Sequence, residues 1–317
     1  MRTQQQGMAI IMALLIVALA ATAASTVLWQ QSLWWRQADN DRARAEIRLI
    51  ADAGVGWAGD ILAFDARSGG AVDYLGELWA QPLPQTEAES TRISGQLYDA
   101  QGRFNVHSLL LPDGKEDEAQ VQLYRRLLAQ LQLPPALADT LLDWLDADDE
   151  QRPQGAEAAW YAAQQPAYAM PLAASVQKLA QLRWVKGYDS QVLAKLAPHL
   201  VLLPQRTALN VNTISLPLMM ALVPGLGRGQ AQALINQRTT TYFKDKADFG
   251  LRLTGGLVPL AVEYGVRSDY FLLQSEIRHP RSMLRVDALL LRNEQASKVL
   301  WREEGVVPVT PATNGES

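Results

Sequence analysis

Cysteine is absent from this chain of 317 residues, and histidine occurs only three times. Without cysteine there are no disulfides, thiolate nucleophiles or sulfur-ligated metals. His107, His199 and His279 lie far apart, so a histidine-rich metal centre is not expected and any bound metal is held by oxygen. Positive charge is not in excess either: 29 lysines and arginines against 33 aspartates and glutamates give a formal net charge of -4, which by composition offers a polyanion no basic face. A Ser/His/Asp arrangement and a phosphate-binding loop are also missing, so the chain is not expected to be an enzyme. What remains is a folded composition, 48% hydrophobic and 20% charged, with room for two or three modest units.

The longest uncharged run stands at the amino terminus. In "RTQQQGMAIIMALLIVALAATAAS" a polar leader ends on Gly7, and from Met8 to Leu28 there is no charge, enough as a helix to cross a hydrocarbon core of about 30 Å. A secretory signal cut after the small residues Ala23 to Ser25 is the alternative. Against it, Leu28, Trp29, Leu33, Trp34, Ala43, Ile47, Ile50, Ala51 and Val55 keep close to helical spacing well past the apolar run, through the charged "WRQADNDRARAEIR". One helix of about 45 to 55 residues is expected, half in lipid and half out. Trp29, Trp34 and Trp35 fall at its midpoint, where they either sit at the membrane-water interface or pack on the globular domain.

A short leader ending in glycine, an apolar segment and an amphipathic extension together resemble the type IV pilin and pseudopilin class. The resemblance implies cleavage by a prepilin peptidase between Gly7 and Met8 and methylation of the new amino terminus. It also marks a departure. The class carries a glutamate at the fifth mature position, where this chain has Met12. A carboxylate within a bilayer costs about 2.5–3.5 kcal/mol on insertion scales and is kept where a partner awaits it. Its loss suggests a subunit at the end of a fibre, with no subunit beyond.

After the helix, "RSGGAVDYLG" and "QPLPQTEAES" (residues 81–90) read as loop. "TRISGQLYDAQGRFNVHSL" reads as strand with a turn at "DAQGR", and three more strand-like runs fill 268–304, separated by "HPR" and "NEQ". Short connections make those three an antiparallel meander. Between the sheet fragments lie about 150 helical residues, including "EAQVQLYRRLLAQLQL", "ALADTLLDWLDA", "AASVQKLAQL" and "SQVLAKLAPHLVLL". The tail from 306 to 317 reads as disordered.

An internal repeat runs through the helical region. "RFNVHSLLLP" (103–112) and "ALNVNTISLP" (208–217) share an Asn-Val core and a following proline. The second copy leads into "LVPGLGRGQAQALINQR", which resembles a helix-hairpin-helix with Gly225, Gly227 and Gly229 in the turn. Such turns can offer backbone amides to a phosphate, so a membrane-anchored nucleic-acid-binding protein is the alternative function. Only Arg228 supplies charge there, and the first copy is acidic, which favours close helix packing over nucleic acid. "DWLDADDEQRPQGAEAAWY" then gathers Asp143, Asp146, Asp148, Asp149 and Glu157. Carboxylates this dense repel unless neutralised; calcium, a hard cation that tolerates irregular oxygen loops, suits Asp146, Asp148 and Glu157. A solvated charge run needs no metal, and Asp143 has Arg152 as a possible ion-pair partner.

Together these motifs resemble the K-type minor pseudopilins of type II secretion systems, also called the general secretion pathway protein K family. The resemblance implies an α+β, type IV pilin-like fold: a long amino-terminal helix packed on a small antiparallel sheet, with a large all-α insertion of helix-hairpin-helix, SAM-like units. The expected divisions are a leader (1–7), a transmembrane helix (8–28), a first pilin-like part (29–104), the insertion (105–262), carboxyl-terminal strands (263–305) and the tail (306–317). It further implies a single-pass inner-membrane protein with its globular part in the periplasm. Its partners would be I-type, J-type and other pseudopilins, prepilin peptidase and inner-membrane lipid, and its work the capping of the pseudopilus tip, initiation of assembly and control of fibre length. Calcium is the cofactor implied.

Overall fold

A computed structural model describes residues 3–83, 86–88, 91–164, 178–279 and 282–307. Helix α1 (Thr3–Ser68) is unbroken over 66 residues, about 100 Å at 1.5 Å per residue. It is longer than the sequence periodicity predicts, because Gly54 and Gly56 do not end it. Each glycine costs a helix about 1 kcal/mol, but Ile47, Ala51, Val55, Ala58 and Leu62 bury one face of this segment and offset that cost. The chain leaves the helix only at Gly69. From residue 10 to residue 42 every side chain is exposed, and Trp34 and Trp35 are 75% and 76% exposed, so these tryptophans do not pack on the globular part. Within α1 lies the one span, among the described residues, long and apolar enough to cross a membrane.

Five strands form an antiparallel sheet in the order β1 (Thr86–Ala88), β2 (Thr91–Asp99), β7 (Tyr270–His279), β8 (Ser282–Leu291) and β9 (Lys298–Val307). β1 falls inside the stretch read as loop. β9 runs to Val307, two residues into the expected tail, and residues 308–317 lie outside those described. The meander holds: Tyr270 pairs with Leu291 and His279 with Ser282, while Met283 pairs with Val307. One sheet face presents Leu97, Phe271, Leu273, Ile277, Val286 and Leu290 to α1. On the other, Tyr270, Leu272, Leu289 and Trp301 meet Val201 and Leu203 of the helical region. The uninterrupted "YFLL" is therefore apolar because that end of β7 is covered on both sides, whereas Gln274, Glu276 and Arg278 resume the alternation beyond the cover.

The helical region contains two units of like plan. The first opens with β3 (Phe104–Asn105), continues through α2 (Glu118–Gln130), α3 (Ala136–Leu145), α4 (Ala158–Ala162) and α5 (Ser190–Leu196), and closes with β4 (Leu200–Val201) parallel to β3. The second opens with β5 (Leu209–Asn210), passes α6 (Leu216–Leu222), α7 (Arg228–Thr240) and α8 (Lys246–Arg252), and closes with β6 (Tyr264–Gly265) parallel to β5. Two readings change here. "DAQGR" does turn the chain, but β3 leaves the main sheet and pairs only with β4. "SQVLAKLAPHLVLL" is helical only as far as Leu196; Pro198 follows and the chain turns extended into β4. Of "AASVQKLAQL", residues 173–177 lie outside those described, and Leu179–Trp184 is a 3-10 turn.

The repeated Asn-Val core is a repeated backbone device. Asn105 Oδ1 accepts from the His107 amide at 3.2 Å, and Asn210 Oδ1 accepts from the Asn212 amide at 3.0 Å, so each side chain turns the chain out of a two-residue strand. Arg126 of α2 ties the units together by donating to the carbonyls of Met220 and Ala221, at the end of α6 where helix carbonyls lack partners. Asn210 also anchors the second unit to the sheet. Its amide nitrogen donates to Asp99 Oδ2 at 2.9 Å, Ser268 Oγ at 3.0 Å and the Asp73 carbonyl at 3.1 Å. Beside it Arg292 holds Asp65 and Asp73, both at 2.5 Å.

Candidate functional site

α3 ends at Leu145, and the acidic loop follows it directly. Asp143, fully buried on the last turn of the helix, accepts from Arg152 Nη1 at 2.7 Å; the same nitrogen reaches Asp146 Oδ2 at 2.5 Å. Burial opposes the charge on Arg152, but the hydrogen bonds it donates to Asp143 and Asp146 outweigh it and hold the guanidinium above its ordinary pKa. Gly155 lies against this pair so closely that a Cβ there would stand 1.7 Å from Asp143 Oδ2.

The structure gathers three of the five acidic candidates. One oxygen each of Asp146, Asp148 and Glu157 lies within 4.8 Å of the others. Asp143 is taken up by Arg152, and Asp149, exposed, is not part of the group. Two buried oxygens of the group, Asp146 Oδ1 and Glu157 Oε1, have no hydrogen-bond partner among the described residues. A buried carboxylate oxygen without a donor is costly, and an all-oxygen set with spare lone pairs is what a hard divalent cation coordinates. The residues therefore fit calcium.

Burial and then repulsion from Asp143, Asp146, Asp148 and Asp149 push the Glu157 carboxyl up to about 7. Burial likewise raises Glu77 to about 7 and Asp99 to about 6. A carboxyl with a raised folded pKa binds its proton more tightly folded than unfolded, so its contribution favours folding in acid and is lost as pH rises through the folded value. Asp248, lowered by its bonds to Arg252, works the other way but sits near the surface, where solvent screens it. The metal-free chain is thus expected to melt at a higher temperature near about pH 5.5 than near about pH 7.5. A melting series showing the reverse order would remove these three groups from the account.

The helix-hairpin-helix is present, with α6, a turn in which Gly225 has φ +80°, and α7. Leu226 of its turn is buried while Gly225, Gly227, Arg228 and Gly229 are exposed, and the Gly227 amide is satisfied by Gln230 Oε1 at 3.1 Å. On α1, Leu49, Trp57 and Phe64 are 70%, 42% and 54% exposed and share the face opposite the sheet with the small Ala53 and Gly56. Sequence periodicity marks the buried face and so leaves this one for inspection; Gly155 and Arg292 carry no such signal.

A helix long and apolar enough to cross a membrane that runs on to pack against an antiparallel sheet, with helices inserted between β2 and β7, defines a pilin-like subunit with an insertion. Residues 102–205 and 209–267 match the two parts of the family described as type II secretion system (T2SS), protein K, and these limits coincide with the two helical units. Type II secretion system protein K of Pseudomonas aeruginosa is 32% identical over 331 aligned positions, covering 100% of this chain and 98% of the relative. Its counterpart in Pectobacterium carotovorum is 28% identical, covering 96% and 98%. A chain in the crystal structure of the GspK-GspI-GspJ complex from the enterotoxigenic Escherichia coli type 2 secretion system shares the fold, with a TM-score of 0.72 at 24% identity, over 85% of this chain and 99% of that one. The chain belongs to the type II secretion system protein K family. The nucleic-acid alternative finds no support, since the matched family and relatives are secretion-system proteins.

Proposed function

We propose that this protein is the minor pseudopilin at the tip of the type II secretion pseudopilus, a structural and not a catalytic component, assembled with I-type and J-type pseudopilins. The observation that carries the proposal is α1: an apolar span, then an exposed stem, then a packed segment whose outer face still shows Leu49, Trp57 and Phe64. Contiguous apolar side chains around small residues suit the close approach of other helices. The insertion supports an end position, because a body this enlarged would collide with neighbours in a helical shaft unless it projected outward. Met12 supports it too, in place of the carboxylate that would seek a subunit beyond. On this reading the anchor lies in the inner membrane, the globular part is periplasmic, and prepilin peptidase cuts between Gly7 and Met8 and methylates Met8.

Co-expression with the I-type and J-type subunits tests the assembly. Trp57→Glu with Phe64→Glu should abolish co-purification while leaving the melting temperature unchanged, and intact co-purification of that variant would overturn the helix face. Mass spectrometry of the mature chain should find N-methylated Met8; a chain beginning near position 24 would return the stretch to a secretory signal.

The same reading gives the acidic loop a calcium ion held by Asp146, Asp148 and Glu157, which would cancel their repulsion and fix the loop between α3 and α4. Calcium at about 100 times its Kd stabilises a folded chain by about 2.7 kcal/mol. A melting temperature that rises with calcium, falls with chelator and loses this response in Asp148→Asn and Glu157→Gln is the expected result. A response retained in both variants would exclude the site.

A further inference from the structure

Between the second face of the sheet and the first helical unit lies a cavity of about 510 Å³. Tyr98 of β2, Leu272 of β7 and Trp301 of β9 form its sheet wall; these residues lie in one row across the strands, since Tyr98 pairs with Leu272, Leu272 with Leu289 and Leu289 with Trp301. Leu179, Pro198 and Leu200 face them.

Two cations, Arg103 and Lys178, and two anions, Asp287 and Glu303, line this cleft, but they do not all pair with one another. Lys178 pairs with Glu303, and Asp287 with Arg285 at 3.0 Å. Arg103 is left over: among the described residues its guanidinium makes no ion pair and no hydrogen bond, although it is more than half buried in residues that line the cavity. Burial accordingly holds its pKa below the ordinary value. Asp99 lies near enough to act on it, but the Asp99 oxygens are occupied by Gln101, Asn210, Thr213 and Ser268. A cation without an ion-pair partner, beside an apolar cleft, suits a ligand that brings both a carboxylate and a bulky apolar group.

We propose that this cleft binds the carboxyl terminus of a polypeptide ending in bulky apolar residues, with the terminal carboxylate on Arg103 and the side chains between Leu200 and Leu272. The rim favours a peptide over a fatty acid. Lys178, Gln274, Asp287 and Glu303 offer donors and acceptors, which a peptide backbone uses and a hydrocarbon chain cannot.

The test uses the full chain in lipid nanodiscs and a fluorescein-labelled hexapeptide ending in Leu-Phe, as the free acid and as the carboxamide, with laurate as competitor. The free acid should bind saturably, the carboxamide about tenfold more weakly. Arg103→Gln should bring the acid down to the level of the amide with little change in melting temperature, since no hydrogen bond or ion pair among the described residues is removed. Equal binding of acid and amide overturns the proposal even if the variant fails to fold. So do affinity unchanged in Arg103→Gln, displacement by laurate at lower concentration than by unlabelled peptide, and absence of saturable binding, the outcome if another part of this chain covers the cleft.

Discussion

Gly155→Ala is expected to lower stability by about 3 kcal/mol, because the new methyl group and a buried ion pair cannot share the same space. The Cβ would stand 1.7 Å from Asp143 Oδ2 and 2.5 Å from its Cγ. Asp143 cannot swing aside, being fully buried on the last turn of α3 with its oxygens bonded to Arg152. Either the loop retreats or the carboxylate does. Both outcomes separate Asp143 from Arg152 and leave a buried charge without its partner, the most costly way to lose an ion pair. The same displacement moves the loop between Asp146 and Glu157, so the calcium response proposed for Asp146, Asp148 and Glu157 should vanish together with the stability. For a chain of this size the loss corresponds to a fall of about 6 to 12 °C in melting temperature. The double variant with Asp143→Ala supplies the control: once the carboxylate is gone, the added methyl has room, and the double variant should be barely less stable than Asp143→Ala alone. A Gly155→Ala chain that melts like the parent would mean that the loop yields freely, and would sink the account of the ion pair.

Asn210→Ala is expected to cost about 2 to 4 kcal/mol, more than the same change at Asn105. Both asparagines make the same turn, so the difference lies in what else they hold. Asn105 bonds within its own unit, to the Leu203 amide and the Gln205 carbonyl. Asn210 is fully buried and gives its two amide hydrogens to Asp99, Ser268 and the Asp73 carbonyl, three points on the pilin-like body. Removing it leaves the Asp99 carboxylate buried with one donor fewer. Asn210→Asp should be worse near neutral pH, because it places a second carboxylate against Asp99, and should recover in acid as one of the two takes a proton. Urea unfolding of the three variants at two pH values reads all of this. Equal losses at Asn105 and Asn210 would show that the junction contributes nothing beyond the turn.

What could be read from the sequence was whatever depends on local repetition. The spacing of Ile47, Ala51 and Val55 identifies the packed face of α1, the three strand-like runs with short connections between 268 and 304 identify the meander, and the two Asn-Val cores identify the units. The short crowded sequence of the acidic loop likewise exposes Asp146, Asp148 and Glu157 as candidates. What escaped depends on meetings between distant segments. Gly155 reads as an ordinary turn glycine until Asp143 is seen against it. Arg292 follows three leucines at the end of a strand, and nothing nearby in sequence announces Asp65 and Asp73, more than two hundred residues away. The end of α1 was misplaced for the same reason: glycine propensity is local, and the burial that overrides it comes from strands at the other end of the chain.

Between Met8 and Ala53 the chain contains neither proline nor glycine, and its helix passes from the apolar span to the sheet without a hinge. A helix of that length bends gently but does not shorten, because its hydrogen bonds fix the rise per residue. The stem therefore works as a rod: a displacement of its apolar end along the helix axis arrives undiminished at the globular head, some 55 Å away from residue 10 to residue 46 at about 1.5 Å per residue.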